Sequence, residues 1–593
     1  GKMVDPAKRV FVNTLVCEGC GDCGQKSFCV SVLPKDTEFG RKREIDQSNC
    51  NKDYSCVEGF CPSFVTVHGG TPRKGRKVDA SERLANLPMP AIASDLSQPW
   101  NILLTGVGGT GVVTIGALLG MAGHLEGRGA TVLDQTGLAQ KGGAVTTHIR
   151  IARAPTDIHA VRIAAGEADL VLGCDMVVVN DYWTLSKIRA GRTQVVLNTW
   201  EAMPGSFTTR PDLQFPAADI VAAISHALDG GAPLQFDATR VATALLGDAI
   251  ATNLFMLGYA WQQGLVPLSF ESLMRAVELN GAAVEMNKTA FAWGRLAAID
   301  PDAVFEAAGI VRNAPTASES TPRDLEATPP GEWESTEWGA TAAPRPAREE
   351  DELRHVPAHG GDGVAFLPLD DARLSRSLDE LVARRAAFLV DYQNAAYAKR
   401  YTDFVAKVRA AEQAKAPGST DLAEAVARYF FKLMAYKDEY EVARLYTSGD
   451  FRKKLQQQFD GDYKLHFHLA PPLLAKRNAK GELVKKEYGP WVFTAFGLLA
   501  RLRGLRGGAL DVFGYTTERR MERRLIDDYE RTVGGLLDAL DGGNVDLAAE
   551  IAAIPEHVRG YGHVKETHLH KAKAREAELL AQWNNPLRIV QAA

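Results

Sequence analysis

Beyond residue 61 the 593-residue chain has a single cysteine, Cys174, although it carries eight in all. Long hydrophobic runs are also missing. Stretches such as Ile102 to Leu104 and Val492 to Leu499 fall far short of the roughly 20 apolar residues of a membrane-spanning helix. Neither charge sign dominates: a net charge of −5 and a pI near 6.3 argue against a nucleic-acid binder. There is no internal repeat, and no signal-peptide pattern precedes the cysteines. The chain opens on Gly1-Lys2 rather than on an initiator Met, which reads as a processed chain or a piece of a longer polypeptide.

What is present is concentrated at the start. Seven cysteines read Cys17-x2-Cys20-x2-Cys23-x5-Cys29 and then Cys50-x2-Asp53-x2-Cys56-x4-Cys61-Pro62. These are two iron–sulfur half-motifs in tandem, with an aspartate where the second would have its middle cysteine. In a two-cluster arrangement each run of three close ligands holds one cluster, and the outlying cysteine serves the other. Cys17, Cys20, Cys23 and Cys61 are then expected to hold one [4Fe–4S] cluster. Cys29, Cys50 and Cys56 hold a second, either with Asp53 as a weaker oxygen ligand or as a [3Fe–4S] cluster with that corner missing. Two alternatives remain. Zinc prefers pairs of C-x2-4-C knuckles, and a C-x2-C-x2-C run crowds a third thiolate onto a tetrahedral ion. A disulfide framework suits short secreted chains. Asp53 is either a ligand or a surface turn residue. The cluster reading implies electron transfer in a reducing, cytoplasmic setting.

Length and composition predict a multidomain α/β protein of about three domains. Residues 1–75 form a small iron–sulfur module, held together by metal ligation more than by a core. Residues 96–312 alternate strands and helices, which predicts a doubly wound, Rossmann-like domain built on a parallel sheet. Residues 313–365, rich in Pro, Ala, Thr and Glu, read as a linker. Residues 366–593 are mostly helical, beginning at the capping box Ser377-Leu-Asp-Glu380.

Gly106-x-Gly108-x-x-Gly111 lies between a strand and a helix, with Asp134 ending the next strand. This pattern suits a dinucleotide: a tight turn, close backbone approach to a pyrophosphate, and a carboxylate for the ribose. A strand-to-helix turn packed on a sheet also favours glycine without any ligand. Beyond Asp134, Lys141-Gly142-Gly143 forms a small-residue loop that reads either as a ligand contact toward a neighbouring site or as an exposed turn.

Together, the cysteines Cys17 to Cys61, the loop Gly106 to Gly111, and Lys141-Gly142-Gly143 followed by a strand containing His148-Ile-Arg150 resemble the thiamine-diphosphate-dependent 2-oxoacid:ferredoxin oxidoreductases. The nearest resemblance is to the fused bacterial indolepyruvate ferredoxin oxidoreductases. There a ferredoxin-like domain precedes a gamma domain and a helical extension. The segments Leu433 to Ala443, His468 to Pro472, Gly489 to Trp491 and Gly560 to Lys565 carry the resemblance into the last third. It implies that an aryl pyruvate loses carbon dioxide on thiamine diphosphate, that electrons leave through iron–sulfur clusters to ferredoxin, and that coenzyme A takes the acyl group. Thiamine diphosphate, Mg2+ and coenzyme A would sit on thiamine-binding domains in an upstream segment or partner chain, in a homo-oligomer. The same resemblance lowers the expectation of a dinucleotide at Gly106.

Other features have bland readings beside their functional ones. Gly361-Asp362-Gly363 with Asn394 imitates a thiamine-diphosphate motif, but it lies at a linker end with Asn394 inside a helix. His466 and His468 share one side of a strand without a nearby third ligand, and read as structural histidines. Cys174 reads as a core thiol. Glu518 to Arg524 reads as i,i+4 pairs on a solvated helix face. Arg73 to Lys77 reads as a linker or as a guide for an acidic ferredoxin. Two other functions stay open: a flavin- or NAD-linked iron–sulfur reductase using Gly106 to Gly111, and a cluster-bearing assembly protein.

Overall fold

The computed structural model describes residues 6–73, 83–84, 86–92, 96–136, 143–310, 373–471, 475–479 and 481–585. They form two compact units. One contains Gly1–Lys74, Met203–Gln214 and Leu367–Ala593; the other contains Gly75–Ala202 and Phe215–Phe366. Gly361-Asp362-Gly363, Lys141 and Gly142 lie outside the described residues, as does Arg73 to Lys77 beyond Arg73 itself. Among the described residues no helix is long and apolar enough to cross a membrane.

The first unit begins with strands β1 (Lys8–Val12), β2 (Val32–Thr37), β3 (Gly40–Ile45), β4 (Phe64–His68) and β5 (Thr71–Pro72). β2 and β3 form a hairpin, and β1 pairs antiparallel with β4.

The second unit is built on β6 (Trp100–Val107), β7 (Gly129–Thr136), β8 (Ala144–Ala152), β9 (Leu170–Gly173), β10 (Gln194–Asn198) and β11 (Leu234–Phe236). These make one six-stranded sheet in the order β11-β10-β9-β6-β8-β7. Its central strands are near-continuous hydrophobic runs because both faces are covered. Ile102 and Leu104 of β6 pack into one core with Ile115 and Leu119 of the helix Val112–Leu125. Leu103 joins Val171, Leu197, Ile220 and Ile224 in a second core on the opposite side. The helices Thr252–Gln262 and Val284–Ile299 cross closely on the first face. A Cβ at Gly258 would lie 2.0 Å from the Phe291 carbonyl oxygen, so this crossing requires glycine.

One expectation about this sheet fails. β6, β9, β10 and β11 run parallel, but β8 is antiparallel to both β6 and β7. The sheet is therefore mixed. The cause is chain length: seven residues separate Thr136 from Ala144, and a parallel crossover needs a dozen or more.

The last part of the first unit is largely helical, with three further strands, β12 (Phe459–Asp460), β13 (Lys464–Leu469) and β14 (Lys486–Tyr488). Its longest described helices are Leu378–Tyr392, Ala395–Lys415, Asp421–Met434, Thr517–Asp538 and Gly562–Asn584. Ser377 caps the first of these, accepting from the Glu380 amide at 3.2 Å. Asn394 caps the second through the Tyr397 amide at 2.9 Å. β13 and β14 extend the N-terminal pair into one sheet, β1-β4-β13-β14. A single hydrophobic core runs from Val10, Phe11 and Phe64 through Tyr446, Phe451 and Phe467 to Val533 and Ile551. The cysteine-bearing segment thus shares its core with the helices, rather than relying on metal ligation alone.

Candidate metal centre and its surroundings

The two cysteine runs follow the same path. Two residues past Cys17 and past Cys50, the amides of Gly19 and Lys52 donate to the sulfurs, N···Sγ 3.3 and 3.4 Å. Gly19 and Gly21 have φ of 68° and 82°; their counterparts Lys52 and Tyr54 have φ of 60° and 63°. Left-handed conformations at lysine and tyrosine are strained, and such strain persists where surrounding structure enforces it. In this superposition of runs Asp53 stands where Cys20 stands. The Asp22 amide bonds to Cys20, and two residues past Asp53 the Ser55 amide bonds to its Oδ1 at 3.2 Å. Asp53 is exposed, whereas Cys20 is buried.

The thiols fall into two neighbourhoods. Burial pushes the Cys20 thiol well up, and Cys61, Cys23 and Cys17 push it further. Burial pushes Cys56 up to about 12, followed by Cys29, Cys50 and Asp53. Cys17, Cys20, Cys23, Cys56 and Cys61 are buried, but Cys29 and Cys50 are only partly so. The runs are held together tightly. Asp22 Oδ2 accepts from the Phe60 amide at 2.6 Å, and a Cβ at Gly59 would come within 2.8 Å of Cys23 Cα. Crowded thiols with amide donors aimed at their sulfurs are the donor chemistry that an iron–sulfur cluster takes.

Positive charge surrounds the first set. Arg43 lies nearest Cys17, Cys23 and Cys20 and stacks over Phe207, 4.7 Å from its centroid, while Arg43 Nη2 donates to the Pro211 carbonyl at 2.9 Å. Lys485 Nζ donates to the Cys61 carbonyl at 3.2 Å. Burial alone would raise Glu18, but Lys437, Lys42 and Lys432 hold it down at about 2. Tyr446 Oη donates to the Pro62 carbonyl and Tyr561 Oη to the Val16 carbonyl, both at 2.6 Å. Sequence reasoning did not assign these roles. Yet Lys437 and Tyr561 belong to segments already singled out by resemblance, Leu433 to Ala443 and Gly560 to Lys565.

The glycine loop presents a different picture. The Gly108 amide donates to the Gly143 carbonyl at 2.7 Å, and a Cβ at Gly106 would lie 2.6 Å from Val112 Cγ2. Gly111, at φ 92°, starts the helix Val112–Leu125. Asp134 lies on β7, with β8 between it and β6, and accepts from Thr147 Oγ1 at 2.7 Å. The glycines thus serve packing and turn geometry, and the carboxylate meant for a ribose is spent within the sheet. Nearby, His148 Nδ1 accepts from the Ile163 amide at 3.2 Å and its Nε2 lies 3.3 Å from Gln135 Oε1, a fully used neutral imidazole. Burial, aided by Arg162 and Lys187, pulls it down to about 4. The unfolded chain therefore binds the extra proton first, and stability should fall as pH drops from about 6.5 toward 4, then level off. Thermal unfolding of His148→Asn should show a weaker loss across that window than the parent; an equal loss would contradict the assignment.

Cys174 is a core thiol, pushed up to about 12 by burial and then by Asp175. His466 and His468 do not converge on each other's partners. His468 Nε2 lies 3.2 Å from Thr66 Oγ1, while His466 Nδ1 lies 2.5 Å from Glu487 Oε1 and its ring stacks on His68 at 4.1 Å. The expectation for Glu518 to Arg524 is corrected. Arg519 and Glu522 are buried and pair with each other at 2.5 Å, and Arg519 also reaches Glu439 at 3.2 Å. Helical spacing turns these two inward while Arg520 and Arg524 stay exposed.

Residues 101–297 match the family described as pyruvate ferredoxin/flavodoxin oxidoreductase, and residues 378–578 match a family of unknown function, DUF6537. The chain is 30% identical over 199 residues to the indolepyruvate oxidoreductase subunit IorB of Methanothermobacter thermautotrophicus, covering 32% of this chain and 94% of that protein. It is 28% identical over 201 residues to the same-named subunit of Pyrococcus horikoshii, covering 34% of this chain and 96% of that one. Among solved structures, the pyruvate oxidoreductase subunit PORC of Thermotoga maritima matches at 17% identity with a TM-score of 0.25, over 34% of this chain and 96% of that one. The described part is a mixed α/β protein with a gamma-type domain and a helical C-terminal region. The chain belongs to the 2-oxoacid:ferredoxin oxidoreductase family.

Proposed function

We propose that this chain is the electron-transfer and scaffold portion of a thiamine-diphosphate-dependent oxidoreductase that converts an aryl pyruvate, indolepyruvate in the first instance, to an aryl-acetyl-CoA, carbon dioxide and reduced ferredoxin. The observation that carries it is the pair of equivalent cysteine loops, Cys17 to Cys29 and Cys50 to Cys61, in a member of this family. In this reading Cys17, Cys20, Cys23 and Cys61 hold one [4Fe–4S] cluster, and Cys29, Cys50, Cys56 and Asp53 hold the second. Bound there, the clusters supply one-electron carriers of low potential.

The chain's own residues set the conditions for that traffic. The amides of Gly19, Lys52 and Ser63 point at the sulfurs of Cys17, Cys50 and Cys61. Arg43 and Lys485 offset thiolate charge, and Tyr446 and Tyr561 close the first set away from water. The second set, with Cys29 and Cys50 only partly buried and Phe28 exposed beside them, is the exit toward ferredoxin. Thiamine diphosphate, Mg2+ and coenzyme A belong to thiamine-binding domains on an upstream segment or partner chain, in a cytoplasmic homo-oligomer. Lys141, Gly142 and Gly143 are proposed to face that neighbouring site. Gly106, Gly108 and Gly111 shape the sheet that carries it.

Asp53 is tested by two substitutions. Asp53→Cys should give a second cluster that survives brief exposure to air. Asp53→Asn keeps the oxygen that accepts from Ser55 but removes the anionic ligand, and should leave a three-iron signature. If neither changes cluster content or type in electron paramagnetic resonance spectra, Asp53 is a turn residue. The reaction itself is tested with the assembled enzyme: indolepyruvate and coenzyme A should reduce ferredoxin, and failure with every aryl pyruvate would remove the substrate assignment.

A further inference from the structure

A second polar centre lies in the same unit, beside the first cysteine loop, where Lys437 Nζ lies 3.5 Å from the Cys17 carbonyl oxygen. A cavity of about 180 Å3 is bounded by β3, by the helix Asp421–Met434 and by residues 556–559. Seven basic side chains line it against three acidic ones. All three acids are already paired. Glu38 is buried against Arg385, Glu18 pairs with Lys437, and Glu556 Oε1 pairs with Arg559 at 3.1 Å. Two amino groups, those of Lys42 and Lys432, feel Glu18 but form no direct ion pair with a carboxylate among the described residues. Lys432 Nζ donates to one neutral acceptor, the Glu556 carbonyl, at 2.7 Å. Lys42 is 6% exposed and lines the cavity, and its side-chain amine makes no hydrogen bond or ion pair among the described residues.

Buried charges are normally paired, because removing an ion from water is costly unless an opposite charge replaces the solvent. Cys17 and Glu18 favour the charge on Lys42 without bonding to it. Successive residues of a strand face opposite sides. Arg43 takes the side of Cys17, Cys23 and Cys20, while Lys42 faces the cavity and Lys437. Burial above all, with Arg559 and Lys42 beside it, pushes the Lys432 amine well below its usual range against the opposing pull of Glu18 and Glu556.

We propose that this cavity binds a small dianionic oxyanion of the phosphate type, held by Lys42, Lys432, Lys437 and Arg559. Several donors converge from different elements, which favours an anion with three or four oxygens over a single-atom halide. The volume holds a five-atom oxyanion with ordered water. The ion is either free or the exposed tip of a phosphomonoester, and the cavity recognises the same chemistry in both.

The test uses the full chain, purified without oxyanions, with radiolabelled inorganic phosphate in equilibrium dialysis. One saturable site per chain is expected, with sulfate competing. Lys42→Met and Lys432→Met should each weaken it at least tenfold, and Lys407→Met, at an exposed position, should not. Competition by phenyl phosphate would identify a phosphomonoester tip, and its exclusion a free ion. Without phosphate both Met variants should unfold at the same or a higher temperature than the parent, since each removes an uncompensated charge. With phosphate they should lose the parent's gain. Absence of saturable binding, or binding unchanged in both variants, would overturn the proposal. So would a loss of stability in both variants that phosphate does not affect.

Discussion

Replacing Cys20 by serine should remove about one to four iron atoms per chain, leaving a three-iron cluster or none in the first set and the second set's signal in place, because one corner of the first cluster loses its thiolate. The effect should be large because Cys20 lies in a buried pocket of thiols with Asp22, Gly59 and Gly560 packed against the loops. Serine offers a harder and less acidic donor than thiolate for iron. Loss of the cluster should also loosen the unit, since metal binding energy is folding energy where ligands from two loops are joined. Iron analysis with circular dichroism on the same sample checks both. Cys174→Ser, in the other unit, should leave iron unchanged. A Cys20→Ser protein with full iron would remove Cys20 from the ligand set.

Asp438→Ala should destabilise the first unit by about 3–5 kcal/mol, the cost of leaving one member of a buried ion pair alone. Asp438 and Arg506 have side-chain exposures of 3% and 2% and share two bonds of 2.6 and 2.8 Å. Arg506 lies 3.6 Å from the Tyr392 ring centroid, so it has no route back to water. Asp438 also caps the helix Glu439–Thr447, accepting from the Glu441 amide at 2.8 Å, which adds about 1 kcal/mol. Asp438→Asn should cost less because it keeps the cap. Guanidinium unfolding followed by circular dichroism measures both. A loss below about 1 kcal/mol for the alanine variant would mean that the pair behaves like an exposed one.

What could be read from the chain depended on distance along it. The cysteine spacing, the glycine turn and most helices of the last third are local patterns. The helix expected to begin at the Ser377 capping box is found as Leu378–Tyr392 with Ser377 as its cap. The sheet order was less accessible, because only the observed ends of β7 and β8 leave the seven residues that rule out a parallel pair. The equivalence of Lys52 and Tyr54 with Gly19 and Gly21 was hidden, because nothing in a lysine or tyrosine announces a left-handed backbone.

Long-range partnerships were beyond reach. His466 lacked a local third partner, yet His68 and Glu487 come to it across β4, β13 and β14. Lys42 meets Lys432 and Lys437 only after the cysteine segment and the helices share a core. The charged run at Glu518 misled because a solvated face and a buried ion-pair network share the same composition, and only packing distinguishes Arg519 from Arg520.

The most direct test of the electron-transfer assignment is metal analysis of the full chain, purified without oxygen, combined with electron paramagnetic resonance after reduction. The account predicts about seven to eight iron per chain, matching sulfide, and two low-temperature signals, one from each set of ligands. Zinc in place of iron, or fewer than about three iron per chain, would contradict it.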